Sequence, residues 1–419
     1  MFQNEGLRTY NETLFQVMDS ALAIARDSGV RVIIPLIDWW TWRGGIEEMA
    51  RFRGKSRWEF FTDPDIRSDF KDLIQRIILR TNTITGRMYK DDEYVIAWEL
   101  GNELGGWFGM PLPEWVLEMS AYIKSIDPNH LVLDGAFAIT QQLGALEGGL
   151  NNQFFRPLDT KLDVYAKSGV LASPNVDMFR DHYYVSNDDG DFSRRAQSAV
   201  AQLNPAGKAF AVTEFGFQSS TVFADLLNTI SNDVRMTGAL LWSLRSHGYS
   251  GGYYTHLEKD SWLSYRLPGY TVEEGSPADE ISSDGLIRQF AWKIQGLDPA
   301  QQLLPRPQRP VLLPLSTASN IRWQGSAMAS KYALARASVN GTADAAPANL
   351  QWNILSTTIS DALPLPFYKD TTAQCGMMHY FSMAAQSDGG WSEWAAAQRL
   401  VEACPAAGWE DGVAIPWEH

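Results

Sequence analysis

The chain carries, at residues 94–103, the stretch YVIAWELGNE, an apolar run with a polar end. Residues 94–100 have the composition of a buried β-strand, and Asn102 and Glu103 follow at its carboxyl end. The stretch AVTEFG, residues 211–216, repeats this arrangement, because Glu214 follows a strand candidate at residues 209–213. The sequence therefore predicts two buried strands that each bring a glutamate to a strand end.

Strand and helix patterns alternate over the first 300 residues. Further strand candidates lie at residues 30–37, 130–133, 176–183 and 238–242, and helical patterns at residues 11–26, 63–78, 113–126 and 193–203. Repeated strand–helix units predict an α/β fold with a parallel sheet. The polar and aromatic residues gather at the carboxyl ends of the strands, which favours a (β/α)8 TIM barrel. Only six strands can be counted, whereas a closed barrel of this type has eight.

The composition changes after residue 303. The stretch LPRPQRPVLLP, residues 304–314, predicts a stiff, extended linker. Short strand candidates follow at residues 321–323, 332–337, 350–354 and 377–384. We therefore predict a barrel domain over residues 1–303, a Pro-rich linker over 304–314 and a small all-β sandwich over 315–419.

The two strand-end glutamates fit the chemistry of glycoside hydrolysis. One carboxyl group protonates the leaving oxygen, while the other attacks the anomeric carbon or activates water. Because the ends of neighbouring barrel strands meet on one face, Glu103 and Glu214 are expected to lie close together. The 111 residues between them (214 minus 103) leave room for two intervening strands. Glu99 lies inside its strand, where a carboxylate needs a partner, so we expect a structural role for it.

An aromatic and histidine cluster lies between these glutamates in the sequence. We expect Asn102 to hydrogen-bond a sugar 2-hydroxyl group, an interaction that strengthens in the transition state. Tyr183 or Tyr184 is expected to orient the nucleophile, and His182 to contact the substrate. Trp242, after the last strand candidate of the barrel, is expected to form an apolar floor under the reacting sugar.

Composition excludes several other functions. A net charge of −14 and a pI near 4.9 argue against nucleic acid or an anionic membrane and suit a neutral glycan. No HExxH, CxxC, GxGxxG or Walker pattern occurs, so we expect neither a metal nor a nucleotide cofactor. The chain as given shows no signal peptide and no apolar run of about 20 residues. We expect a monomer whose partner is its saccharide substrate, and the pairing of Cys375 with Cys404 stays open.

At these residues the chain resembles family 5 of the glycoside hydrolases, in its endo-β-1,4-mannanase-like branch. The matching segments are YNETLF (10–15), DWWTWRGG (38–45), FFTDPDIRSDFKDLI (60–74), RTNTITGRMYKDDEYVIAWELGNE (80–103), DHYYV (181–185), VTEFGF (212–217) and ALLWSLRSHGYSGGYYTHLE (239–258). The resemblance implies a retaining double displacement with Glu103 as acid/base and Glu214 as nucleophile. It also implies an extracellular location.

The resemblance further implies a set of substrate-binding residues. Trp40 matches an aromatic position after the third strand of the family's barrel. His247 and His256 lie in the loop after the last strand, where a subsite role is expected. The full set of implied substrate-binding residues is Asn102, His182, Tyr184, Trp242, Trp40, His247 and His256.

One feature of the family has no counterpart in this chain. The family begins with two further strands, and the second ends in an arginine that supports the nucleophile. Arg8 falls in what resembles the following loop, so this role is not assigned to it. The resemblance thus implies an N-terminally incomplete barrel of about six strands, whose open sheet edges predict poor solubility or lost activity.

Residues 311–419 resemble a fibronectin type III-like domain. Trp323 fits the early core tryptophan of such domains, and residues 380–386 fit the pattern near the sixth strand. The implied role is spacing, or packing against the barrel. Carbohydrate binding is a weaker expectation for this region.

Several functional alternatives remain open at this point. A cellulase-like β-1,4-glucanase shares the catalytic pair with a mannanase, and the two differ in the contact to the axial or equatorial 2-hydroxyl group. A non-catalytic carbohydrate-binding remnant is favoured by the incomplete barrel. A purely structural or adhesive protein built on the sandwich is the third class.

Overall fold

The computed structural model describes residues 6–41, 44–106, 109–141, 159–184, 191–254, 257–258, 261–262, 265–270, 280–340, 349–362 and 366–402. The chain divides into two compact units, Met1–Leu241 and Trp242–His419. Among the described residues, no helix is both long and apolar enough to cross a lipid bilayer.

The first unit contains a parallel sheet of six strands. These are β1 (Val32–Pro35), β2 (Val95–Glu99), β3 (Leu131–Leu133), β4 (Met178–Tyr183), β5 (Ala209–Phe215) and β6 (Met236–Leu241). They pair in chain order, and the sheet curls into a half-barrel of the TIM type. The predicted barrel-type fold with about six strands is confirmed, and every strand end lies within two residues of its predicted position.

The two outer strands leave open edges. Within the described residues, β1 pairs with β2 alone and β6 pairs with β5 alone. Ile33 and Ala209 are only partly buried against a small apolar cluster formed by Leu133, Met178 and Ala211. Among the described residues, β1 and β6 therefore each have one side without a paired strand, and the expected effect on solubility or activity stays a prediction.

Helices alternate with these strands along the chain. They are α1 (Glu12–Asp27), α2 (Ile46–Arg51), α3 (Pro64–Ile78), α4 (Pro113–Ile126), α5 (Lys161–Ser168), α6 (Phe192–Leu203) and α7 (Ser220–Asn232). The side chain of Asn11 accepts a hydrogen bond from the backbone N of Leu14 at 3.1 Å, which satisfies a free donor at the start of α1. Asp63 caps α3 in the same way, with Pro64 at the first helical position. Both helix starts agree with the sequence prediction.

Aromatic rings hold α3 against α4. Phe70 on α3 stacks on Trp115 of α4 with ring centroids 5.5 Å apart, and Phe61 meets the same ring edge-on at 5.2 Å. These rings and that of Phe60 are fully buried. Because α3 precedes β2 and α4 follows it, the cluster fixes the chain on both sides of the strand that leads to Glu103.

The second unit is rich in antiparallel strands. Its elements are β7 (Leu257–Glu258), β8 (Ser261–Trp262), α8 (Glu280–Ile294), β9 (Val311–Leu312), β10 (Trp323–Gln324), β11 (Lys331–Val339), β12 (Asn353–Ile359), β13 (Met378–Ser387), β14 (Gly390–Trp391) and β15 (Gln398–Val401). Strands β11 to β15 form one antiparallel sheet, and β9 pairs with β10. Trp323, Tyr332 and Phe381 lie in the core of this unit. The predicted C-terminal antiparallel β-structure is present, and its fibronectin type III-like character stays a prediction.

The proline-rich stretch is attached to the sheet along its length. The backbone N of Leu304 donates to Asp388 at 2.8 Å, and Ser387 donates to the carbonyl oxygen of Pro305 at 2.8 Å. Leu312, in β9, is buried in the core. The stretch is extended, as expected, but it is held by hydrogen bonds rather than free in solvent. The domain limits at residues 303 and 314 stay predictions.

A buried aspartate ties α1 to the segment between α3 and β2. Asp19 accepts hydrogen bonds from Arg80 at 2.7 and 2.9 Å, from the Tyr89 hydroxyl at 2.7 Å and from the Thr83 hydroxyl at 2.7 Å. Its side chain is fully buried. Burial alone would raise the pKa of Asp19, but these hydrogen bonds outweigh it and lower the pKa to about 2.

This depressed pKa predicts a specific acid sensitivity. Stability contributed by Asp19 is present above its unfolded-state pKa near 4 and is lost as the pH falls toward 2. We expect Asp19→Asn to lower the free energy of unfolding at pH 7 by about 3 kcal/mol, because it breaks a buried ion pair. Urea unfolding at pH 7 and pH 2 measures both effects. The exposed Asp65→Asn is the control, and an Asp19→Asn loss that is equally large at pH 2 would contradict the assignment.

Candidate active site

The predicted catalytic glutamates lie at the carboxyl ends of the strands. β2 ends at Glu99, and the chain then turns so that Glu103 adopts a φ of +52°. Glu214 lies in β5 and is the register partner of His182 on β4. A positive φ is costly for a residue with a Cβ atom, and such residues concentrate at functional sites. The backbone thus holds Glu103 in an uncommon conformation next to the sheet.

The two carboxyl groups and one histidine form a compact group. One oxygen of Glu103, one oxygen of Glu214 and a ring nitrogen of His182 all lie within 4.8 Å of one another. Retaining glycosidases hold their carboxyl groups about 5–5.5 Å apart, and inverting enzymes about 6.5–9.5 Å apart. The spacing here is closer to the retaining range than to the inverting range.

Both oxygens of Glu103 accept hydrogen bonds from ring N–H groups. His182 Nδ1 lies 2.7 Å from Oε1, and the indole N–H of Trp40 donates to Oε2. Trp40 itself is held by Asp38, which accepts from the Trp40 backbone N at 2.8 Å and lies 3.4 Å from the Asn102 amide nitrogen. The sequence predicted Trp40 and Asn102 at the site, whereas it gave no role to Asp38.

The tyrosine that contacts Glu214 is now assigned. The Tyr184 hydroxyl donates to Glu214 Oε2, and the Tyr184 ring stacks on Phe217 with centroids 5.2 Å apart. Tyr183 points the other way and stacks on Phe192. Phe217 adopts a φ of +63°, so a second non-glycine residue with an uncommon backbone lies beside the site. The sequence left Tyr183 and Tyr184 as alternatives, and the alternation of side chains along the strand selects Tyr184.

The two carboxyl groups are too close to ionise independently, so they share a proton. Burial, followed by the charge of Glu103, raises the pKa of Glu214 to about 8. Burial also acts on Glu103, but hydrogen bonds from His182 and Trp40 outweigh it and hold the pKa of Glu103 below its ordinary value. Both shifts favour the shared proton on Glu214 in the free site.

This proton order is the reverse of the one that the implied roles need, since a nucleophile must be ionised and an acid protonated. A cation beside Glu214 would restore the order. In the part of the chain that the structure describes, no lysine or arginine forms an ion pair with Glu214. The buried Arg180 is instead 2.8 Å from Glu99.

The sequence led us to expect a partner for the buried carboxylate of Glu99, and that partner is Arg180. Its pKa is raised to about 7, chiefly by burial, and the charge of Arg180 opposes that rise. Sequence inspection missed Arg180 as a site residue. Its signal is the stretch Arg180-Asp181-His182, three consecutive polar residues in a strand that is buried throughout.

Glu103, His182 and Glu214 could together offer three ligands to a metal ion, as no other group of described residues could. The 2.7 Å separation of His182 Nδ1 and Glu103 Oε1 is a hydrogen-bond distance. The geometry therefore favours proton sharing over metal binding.

Three further predicted substrate residues lie in the second unit. Trp242 follows β6 directly, and the Arg245 guanidinium lies 5.9 Å from the centre of its ring. His247 Nε2 is 2.9 Å from an oxygen of the buried Asp361, which places this imidazole in a hydrogen bond within its own unit. His256 lies outside the described residues. The substrate roles of these three residues stay predictions.

Comparison with known proteins gives consistent results. A family model described as GH family 5 beta-mannosidase-like matches residues 47–147. Mannan endo-1,4-beta-mannosidase 1 of rice (Oryza sativa subsp. japonica) is 39% identical over 132 residues, which are 29% of this chain and 31% of the rice protein. Mannan endo-1,4-beta-mannosidase 7 of Arabidopsis thaliana is 28% identical over 289 residues, 60% of this chain and 65% of the relative. The chain thus spans about a third to two thirds of the length of these relatives.

Solved structures show the same fold. The endo-beta-1,4-mannanase from Thermotoga petrophila superposes with a TM-score of 0.54 at 18% identity, over 94% of this chain and 83% of that protein. At this identity the likeness concerns the fold alone. The sequence matches carry the family relationship. Together they confirm the resemblance found in the sequence: this chain is similar to the β-mannosidase-like branch of glycoside hydrolase family 5.

Proposed function

We propose that the chain is a retaining glycoside hydrolase that cleaves internal β-1,4 bonds of mannan or a related plant-wall polysaccharide. The observation that carries this proposal is the close approach of Glu103 and Glu214, with an oxygen of each within 4.8 Å of the other at the strand ends. This spacing of the two carboxyl groups suits attack by one carboxylate on the anomeric carbon while the other carboxyl group protonates the leaving oxygen.

The mechanism uses the shared proton of the pair. A bound glycan brings an acceptor, the glycosidic oxygen, to Glu103 and an electrophilic carbon to Glu214. Both contacts favour the proton on Glu103 and the charge on Glu214. Glu214 then forms the covalent glycosyl intermediate as Glu103 protonates the leaving oxygen. Glu103, now ionised, takes a proton from the water that releases the sugar.

The substrate class follows from the relatives and from charge. The rice and Arabidopsis relatives are named for mannan, and a chain with a net charge of −14 suits a neutral polymer. Asn102, held beside Asp38, is the candidate to contact the 2-hydroxyl group that distinguishes mannose from glucose. A β-1,4-glucanase is the alternative within this class.

A non-catalytic carbohydrate-binding role is the second candidate. Two features favour it: the outer strands β1 and β6 each pair with one strand among the described residues, and the pKa of Glu214 is raised above its ordinary value. Such a protein would bind oligosaccharides without releasing products.

Release of reducing sugars from galactomannan, glucomannan and soluble cellulose tests the proposal. The doubly substituted Glu103→Gln/Glu214→Gln protein is the control for contaminating activity. We expect the mannans to be cleaved and cellulose to be a poorer substrate. Preference for cellulose would support the glucanase, whereas binding by calorimetry without any release would support the carbohydrate-binding protein.

Location, assembly and domain roles are part of the same proposal. Cys375 is disulfide-bonded, and disulfides persist in oxidising compartments, which supports an extracellular location. We further propose that the chain is a monomer and that the C-terminal sandwich, residues 315–419, serves as a fibronectin type III-like spacer after the barrel domain of residues 1–303. Size-exclusion chromatography with light scattering measures the assembly state.

A further inference from the structure

A buried arginine lies under the catalytic pair and is not explained by the substrate chemistry. Arg180 is 1% exposed and lies two residues before His182 on β4, so both side chains point to the same face of the strand. Its Nε is 2.8 Å from Glu99 Oε1, and one terminal nitrogen is 3.1 Å from the carbonyl oxygen of Gly135. The other terminal nitrogen contacts His182 Nε2.

The contact with His182 determines which ring nitrogen carries the proton. A guanidinium group has five donors and no acceptor, so His182 Nε2 can face Arg180 only as an acceptor. The proton of a neutral imidazole must then be on Nδ1. That atom lies 2.7 Å from Glu103 Oε1 and 3.3 Å from Glu214 Oε2. Arg180 thus makes the imidazole a donor directed at the two catalytic carboxyl groups.

The positive charge of Arg180 also favours the neutral form of His182. Burial and the charge of Arg180 lower the pKa of His182 to about 4, so the ring is neutral at neutral pH. The same positive charge also favours the ionised forms of Glu103 and Glu214. Among the described residues, the titratable side chains that face Arg180 and His182 include Glu99, Glu103, Asp134, Lys161, Tyr165, Asp181, Tyr184 and Glu214.

We propose that Arg180 is a positioning residue of the catalytic pair, which fixes His182 as the neutral Nδ1–H tautomer so that His182 bridges Glu103 and Glu214. The role in catalysis rests on the proposed hydrolase function, whereas the tautomer is a property of the folded protein alone. Thr213 offers a competing explanation, because its hydroxyl group lies 3.0 Å from His182 Nε2.

The first test is a ¹⁵N nuclear magnetic resonance titration of the full chain with labelled histidine, in which His182→Asn identifies the His182 signals. In the unsubstituted protein we expect a neutral Nδ1–H ring down to about pH 5. Arg180→Met should raise the pKa of His182 by at least one unit and populate the Nε2–H tautomer. Arg180→Lys should restore part of the original behaviour because it keeps a donor and a charge.

Matched controls separate this role from general damage to the fold. Arg80→Met removes another buried, ion-paired arginine of the first unit and should leave the His182 signals unchanged. If Arg180→Met does not fold, the neutral Arg180→Gln replaces it, with the same expected rise in the pKa of His182. An unchanged titration and tautomer in a folded, neutral Arg180 variant would overturn the proposal. So would a change of tautomer in Thr213→Val but not in the Arg180 variants.

Kinetics form the second, independent test. On mannohexaose, whose leaving sugar hydroxyl needs a proton, Arg180→Met should lower kcat on the order of 10- to 100-fold with little change in KM, because proton positioning and not binding is lost. Its pH optimum should move upward, since the charge that favours the ionised glutamates is gone. An unchanged kcat and pH optimum would count against the positioning role. If the unsubstituted chain cleaves no glycan, the proposed hydrolase function fails, while the titration still decides the role of Arg180 in the fold.

Discussion

Glu214→Gln is expected to abolish turnover of mannan, by a factor of about 10³ or more, while oligosaccharide binding persists. The amide cannot attack the anomeric carbon, but it keeps the size of the carboxyl group and offers an oxygen to the Tyr184 hydroxyl. Because burial and the charge of Glu103 raise the pKa of Glu214, its replacement by a neutral amide should leave the fold stable. Reducing-sugar release measures turnover, and calorimetry with mannohexaose measures binding.

The control is Glu118→Gln on α4, a glutamate whose partners, such as Lys71 at 2.6 Å, lie away from the site. This variant should keep full turnover. Undiminished activity in Glu214→Gln would eliminate Glu214 as the nucleophile. Loss of binding together with turnover would instead point to a role in holding the substrate.

Glu103→Gln should slow the hydrolysis of mannan far more than that of aryl mannosides with good leaving groups. Departure of a sugar hydroxyl needs a proton from Glu103, and the contribution of such a proton transfer is on the order of 10²–10⁴-fold. A nitrophenolate leaving group departs without a proton from Glu103. Comparison of kcat/KM for mannohexaose and for 4-nitrophenyl mannoside in the variant and the unsubstituted protein measures this difference.

The same substitution also tests the proton order in the pair. Removal of the Glu103 charge eliminates one cause of the raised pKa of Glu214, so the nucleophile should ionise at lower pH. With the activated substrate, the pH dependence of the variant should therefore move to lower pH. Equal losses on both substrates, with no change in pH dependence, would show that Glu103 is not the acid.

The sequence alone located the strands of the sheet and predicted Glu103 and Glu214 as the candidate catalytic pair. Buried strands of a parallel sheet are continuous apolar runs, so each strand could be located within two residues. Helix starts at Asn11 and Asp63 were also predictable, because a side-chain acceptor at a helix start satisfies free N–H groups over a few residues. The glutamates stood out because polar residues end these apolar runs.

Only the tertiary structure decided how the site residues act on one another. The register between β4 and β5 places His182 opposite Glu214, and the turn after β2 gives Glu103 its positive φ. Neither can be derived from local patterns, because the curl and register of a sheet depend on the packing of all its strands and helices. Tyr184 was therefore distinguished from Tyr183 only once the strand was in place.

The charge interactions within the site were the feature that the sequence predicted least. Arg180 is one charged residue in a buried strand, and its importance lies in its contacts with Glu99 on β2 and with His182 on its own strand. The placement of the shared proton on Glu214 likewise depends on which side chains donate to which oxygen. Composition and spacing predicted which chemical groups the site contains and at which strand ends they lie. Distances of a few ångströms between strand ends, which decide charge and hydrogen bonding, exist only in the folded chain.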